Sequence, residues 1–205
     1  MKKMMAFILA ALLLFSLSAC GQGKTEAKSV GGWTLTDDGA VTKESQDAFD
    51  KAMDGFVGVS YTPVALLGTQ LVSGMNYSFL CEATVVYPDA RPYYAVVTVY
   101  QDTQGKAEIK NIVALDLGKI QESGAIEDSQ PDSAQALGGW SVDRDTRLEV
   151  PDGVLHLASQ TVSGTNHCVL CKGWNLCFAA VTVQKTEITK TVPLDIASLS
   201  QSAAQ

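Results

Sequence analysis

The sequence predicts an α+β fold, in which an antiparallel sheet covered by a single helix is followed by a shortened, mainly β repeat of the same unit. Three observations predict it. Val41, Ala48, Phe49, Ala52, Met53 and Phe56 recur at three, four and seven residues, the spacing of one helix face. The segments that follow are rich in Val, Tyr, Thr and Leu and are broken by turn clusters, as strands of a meander are. The chain also repeats itself: Val30-Gly31-Gly32-Trp33 returns as Leu137-Gly138-Gly139-Trp140, and Gln70-Leu71-Val72-Ser73-Gly74-Met75-Asn76 returns as Gln160-Thr161-Val162-Ser163-Gly164-Thr165-Asn166.

At the N-terminus, Lys2 and Lys3 precede an apolar run over residues 4–17 with no acidic residue, which reads as an export signal over residues 1–19. Its fourteen residues are too few for a membrane span, which needs about 20. Leu17-Ser18-Ala19-Cys20 resembles the bacterial lipobox, which implies a lipid on the Cys20 thiol and a mature chain that starts there. The expected location is extracytoplasmic, with the chain tethered to the bacterial cell membrane through Cys20. Residues 20–30 are small and polar, a stalk expected to lift the folded part off the lipid surface.

The first domain is expected over residues 31–117. Thr42 is the candidate helix N-cap and Gly55 or Gly58 the stop. Strands are expected over residues 61–72, 75–86, 93–101 and 108–115, with turns at 87–92 and 102–105. A linker over 118–136, containing Ser, Asp and Pro131, leads to the second copy at 137–197 and a tail at 198–205. At an offset of 90, Val64, Leu67, Leu80 and Cys81 meet Val154, Leu157, Leu170 and Cys171, while Leu115-Asp116-Leu117 meets Leu194-Asp195-Ile196 further on. Between Trp33 and Gln70 lie 36 residues but between Trp140 and Gln160 only 19, so the second copy lacks the helix and carries the turn Pro151-Asp152-Gly153 in its place.

Without the signal, 13 Lys and Arg stand against 22 Asp and Glu, a formal charge of −9. No basic cluster breaks that balance, which excludes a nucleic-acid partner. The only histidines are His156 and His167, and no nucleophile elbow, zinc-protease helix or phosphate-cradling loop is present. The chain therefore reads as a binding protein and not an enzyme, with no cofactor and no metal. His156, in an apolar strand, reads as a packed or sheet-surface side chain. Cys168, Cys171 and Cys177 leave three readings in an exported protein. One is a disulfide, with Cys171 opposite Cys177 if residues 172–176 make the turn, or Cys168 with Cys177 in another register; the others are a metal site with His167, and free core thiols. Cys81 shares a face with Phe79 and Ala83 and reads as a core thiol.

The glycine pair, the helix with Phe49-Asp50-Lys51, the run Gln70-Leu71-Val72-Ser73-Gly74 and the later strand-turn-strand from Tyr94 to Gly105 together resemble the cystatin superfamily, closest to its stefin branch. The resemblance covers residues 31–117 and extends weakly over 137–197. It implies a sheet wrapped on the helix and one edge that enters the cleft of papain-like cysteine proteases. Carried onto this chain, that edge is a trunk at Gly31 and Gly32, a first loop of Gln70, Leu71, Val72, Ser73 and Gly74, and a second loop of Asp102, Thr103, Gln104 and Gly105. Gly74 is expected to permit a left-handed or bulged backbone. Because the same run survives in the second copy, two functions stay open: reversible protease inhibition, and non-inhibitory adhesion or ligand capture on the same hairpins.

Overall fold

The structure is a computed structural model that describes residues 29–30, 32–127, 139–183 and 185–201. The expected signal, the lipobox-like run ending at Cys20, the trunk residue Gly31 and residues 128–136 of the expected linker lie outside the described residues. The fold is α+β, with two antiparallel sheets and little helix. In the first sheet β1 (Ser29–Val30), β2 (Trp33–Leu35), β3 (Val59–Leu71), β4 (Gly74–Val85), β5 (Tyr93–Asp102) and β6 (Ala107–Leu115) lie side by side in chain order. In the second, β7 (Ser141–Val142), β8 (Gly153–Val162), β9 (Gly164–Cys171), β10 (Asn175–Val181) and β11 (Thr186–Pro193) do the same.

Helix α1 (Lys43–Met53) begins as its sequence dictates, with Thr42 Oγ1 accepting from Ser45 N at 3.2 Å. It stops before Gly55, so Phe56 leaves the apolar stripe expected for it and is exposed. Ala48 and Phe49 are buried, and the Phe49 ring meets Phe79 edge-on at 5.1 Å.

Strand β5 is buried at seven successive positions, from Tyr93 to Val99, and a strand buried on both faces must be covered on both. On one face Phe79 and Tyr77 of β4 meet α1. The alternate residues Glu82 and Tyr94 face the second copy: the Tyr94 hydroxyl donates to the Leu157 carbonyl at 2.9 Å, and Arg144 pairs with Glu82 at 3.2 Å. One apolar core therefore runs continuously from Trp33 and Leu80 to Trp140, Leu157 and Phe178.

The repeat is visible in backbone detail. Pairing of β3 with β4 skips Val64 and Leu67, and pairing of β8 with β9 skips Val154 and Leu157, the residues that align at the constant offset. Leu67 and Leu157 are both fully buried, so each bulge drives an extra leucine into the shared core.

Two expected boundaries need correction. The first residues of the linker form helix α2 (Leu117–Ser123), capped where Asp116 Oδ1 accepts from Lys119 N at 3.0 Å, with Leu117 and Ile120 buried. The expected tail likewise starts inside α3 (Ile196–Leu199), capped by Asp195 through Ser198 N at 3.2 Å. Each is a single turn or two with one buried pair, too short to show a period, and tertiary burial stabilises it. Among the described residues no helix is long and apolar enough to cross a membrane.

Candidate functional site

The first loop is short because β3 and β4 pair up to Leu71↔Met75, leaving Val72 and Ser73 at the tip. Leu71 is 80% exposed and Val72 44%, an apolar pair that nothing in the fold covers. Pairing of Gly74 with Asp102 sets the second loop beside the first. The Asp102 carboxylate accepts from Gln104 N at 2.8 Å and Lys106 N at 2.9 Å, so it is engaged in shaping its own turn. Thr103 and Gln104 are exposed, and the Gly105 carbonyl accepts from Lys51 Nζ at 3.0 Å, which ties α1 to this loop.

The trunk arrives at the same end. Gly32 has φ +80°, and a Cβ there would stand 3.5 Å from Gln70 Nε2. Gly32 thus lies beside the first loop and the second loop lies on that loop's other side, and the two loops line a groove of about 400 Å³ with Met75, Tyr77 and Glu44. At its floor the Tyr77 hydroxyl donates to Glu44 Oε1 at 3.1 Å. Burial, helped by the Glu44 charge, pushes the Tyr77 phenol up to about 12, so it remains a donor throughout the physiological range.

Within the run of the first loop, the structure separates two kinds of residue. Asn76 Nδ2 donates to Gln70 Oε1 at 2.8 Å across the hairpin, and Asn166 Nδ2 donates to Gln160 Oε1 at 3.0 Å in the second copy. Gly139 also repeats Gly32, with φ +80° and its place beside Gln160. Glutamine and asparagine therefore form a clasp inside the hairpin, and Leu71, Val72 and Ser73 are the residues left facing outward. Gly74 corrects the expectation of a left-handed backbone: it is absent from the positive-φ glycines, and a Cβ there would stand 2.2 Å from the Gln101 carbonyl oxygen. Close approach of β5, not backbone hand, demands glycine; at Gly164 the reverse holds, with φ +135°.

The cysteine cluster also departs from the expected geometry. The turn is residues 172–174, with Gly173 and Trp174 at positive φ, so Cys171 faces Asn175 and Cys177 faces Val169. Trp174 decides this, because its ring is buried close to Gly39 of the first copy. Cys171 and Cys177 lie diagonally on the outer face of the second sheet, unbridged, near enough for each thiol to influence the other's ionisation. Cys168 sits on the opposite face in the shared core, which removes the Cys168–Cys177 alternative. Burial pushes the Cys81, Cys168 and Cys171 thiols up, away from reactive thiolate. Among the described residues no three His, Cys, Asp or Glu side chains converge as a metal site.

Sequence reasoning missed a histidine pair. His156 and His167 are both buried, with His156 Nε2 and His167 Nδ1 2.9 Å apart and His156 Nδ1 bonded to the Asp143 carbonyl. A carbonyl only accepts, so His156 carries its proton on Nδ1, its Nε2 accepts, and His167 Nδ1 donates. Burial, then the neighbouring His156, lowers the His167 pKa. Hydrogen bonding from Thr146 holds the Asp143 carboxyl below the usual carboxylate range. Facing polar residues at His156 and His167 on neighbouring strands was the available signal, but the bulge at Leu157 that brings them together could not be read from spacing.

Compared with known proteins, the chain matches no protein family, no curated protein and no solved structure.

Proposed function

We propose that the chain is a lipid-anchored, extracytoplasmic protein-binding module, and that the end of the first sheet carrying Gly32, Leu71–Ser73 and Thr103–Gln104 inhibits papain-like cysteine proteases reversibly. The observation that carries the reading is the uncovered apolar tip, Leu71 and Val72, standing beside the second loop over one groove. A narrow two-strand hairpin with an apolar tip enters a cleft that excludes a helix, and it offers main chain held in a ladder, a poor shape for cleavage. The sheet wrapped on one helix, as in cystatins, belongs to this same proposal, supported by the contact of α1 with Phe79 and Tyr77. Lipid anchoring rests on Leu17-Ser18-Ala19-Cys20.

A second reading has its own support. The Gln–Asn clasp recurs in the second copy, so the run is explained by hairpin geometry without a protease, and adhesion or ligand capture would use the same exposed tip. One experiment separates the two. The mature chain is titrated against several papain-like proteases, and inhibition at micromolar concentration that falls about thirtyfold in Val72→Asp, or about 2 kcal/mol, supports the inhibitor. Full protease activity at those concentrations overturns it and leaves capture. Inhibition indifferent to Val72→Asp assigns the contact to another edge.

A further inference from the structure

A second apolar patch lies at the other end of β3 and β4. Val57 is 85% exposed, Val86 73%, Tyr87 51% and Phe56 42%. They belong to two loops, one entering β3 and one leaving β4, joined where Val86 N donates to the Gly58 carbonyl at 2.9 Å. The Phe56 ring rests edge-on against Tyr61 at 5.7 Å, which holds it out along the sheet and not back into the core. Four large apolar side chains on two adjoining loops form a patch that a monomer in water does not need.

From these features we infer that this patch seats on the surface of a phospholipid bilayer, with the Leu71–Val72 tip pointing away from it. The inference rests on the anchoring proposed above, and tether length selects the occupant. Ser29 pairs with Thr34 and Thr34 with Thr69, so the first strand lies level with the hairpin end of β3. From Thr69 back to Val59 is ten residues of strand, about 30 Å. Between Cys20 and Ser29 are nine residue steps, which span at most about 30 Å. The two lengths are equal. Strand β1 also runs toward the hairpin end, so the chain approaches from the side of the patch.

In an upright orientation the nine steps from Cys20 therefore reach no further than the length of the sheet, and they leave no height to hold Phe56, Val57, Val86 and Tyr87 clear of the headgroups. The opposite orientation would press Leu71 and Val72 into the lipid and block the binding edge. An aromatic pair with two valines suits the interfacial layer, where ring and hydroxyl meet apolar and wet surroundings. Beside the patch Asp54 and Asp89 outnumber Arg91, so the favoured surface is zwitterionic and not anionic lipid.

The test uses the full mature acylated chain on phosphatidylcholine vesicles carrying brominated acyl chains. Tyr87→Trp and Leu71→Trp each add an exposed indole at one end of the sheet, against a background of Trp33, Trp140 and Trp174, which are buried. The expected result is that Tyr87→Trp loses most of its added emission, more with bromines near the headgroups than with deep ones. Leu71→Trp should keep its emission, and adding Val57→Asp to Tyr87→Trp should restore much of the loss. A chain that co-floats with the vesicles while Tyr87→Trp stays bright overturns the inference and leaves anchoring intact. Equal quenching at both ends means that the domain lies flat, which also overturns it. A chain that does not co-float at all overturns the anchoring reading, and the seated patch with it.

Discussion

Replacing Gly74 by alanine should destabilise the whole first sheet, although the residue sits at an open hairpin. The added Cβ would stand 2.2 Å from the Gln101 carbonyl oxygen and 2.8 Å from Tyr100 Cε2. An ordinary contact needs about another ångström, and the nearest obstacle is backbone, so the start of β4 must draw away from β5 at the Gly74↔Asp102 pair. Losing one or two ladder hydrogen bonds, at about 1 kcal/mol each, and straining the contact that remains together come to about 3 kcal/mol. Urea unfolding followed by far-ultraviolet circular dichroism should then show a midpoint about 1.5 M lower, for a slope of about 2 kcal/mol/M, with the slope unchanged. Val72→Asp is the counterpart: the side chain sits at the exposed loop tip and outside the core, so stability should change by no more than about 0.5 kcal/mol while binding suffers. A Gly74→Ala chain that unfolds with the native midpoint would refute the close approach and return the glycine to a contact role.

Tyr94→Phe removes the hydroxyl that bonds Leu157, whose carbonyl still accepts from Asp143 N at 2.9 Å, so it should cost only the one hydrogen bond, about 1 kcal/mol, in the same urea assay. Because one core spans both copies, the chain should unfold in a single calorimetric transition, and residues 137–205 expressed alone should show poor chemical-shift dispersion. Below its ordinary value of 6.5 the unfolded chain protonates His167 before the folded chain does, so stability is complete above that pH and declines as pH falls through it. His167→Asn keeps a donor for His156 Nε2 and should flatten that decline in melts between pH 7.5 and 5. Under oxidant, peptide mapping should find Cys171 joined to Cys177 and never Cys168 to either, since Cys168 points into the other face.

Much of the first copy was legible because its elements are long and their neighbours are sequential. Thr42 before Ala48 and Phe49 marks a capped amphipathic helix, and each meander strand pairs with the next in the chain, so local pattern and final pairing agree. Phe56 shows the limit of periodicity: it keeps the helical spacing, but Gly55 ends the helix first and the ring is turned outward. The candidate edge was legible in the same uneven way. Gln70 and Asn76 stood out as a repeated pair, but whether they bind a partner or each other depends on two side chains meeting across a hairpin. Residues 93–99 did carry a signal for a second covering layer, since an unbroken apolar strand cannot face water on either side.

What the sequence alone determines about this protein is local or repeated: the charged and apolar N-terminal run with its lipobox-like end, the acidic charge, the amphipathic helix and the duplication with its shortened second half. These depend on residues near one another in the chain, or on identity at a constant offset. Tertiary structure alone decides that the copies share a core, because that needs Tyr94, on the even face of β5, to meet Leu157 63 residues away. It also decides that Trp174 tightens the cysteine turn and moves Cys177 off Cys171, and that a bulge at Leu157 brings two histidines into contact. Register in a sheet changes by whole residues and flips every side chain when it does, so a single buried ring on a distant strand outweighs any spacing read along the chain.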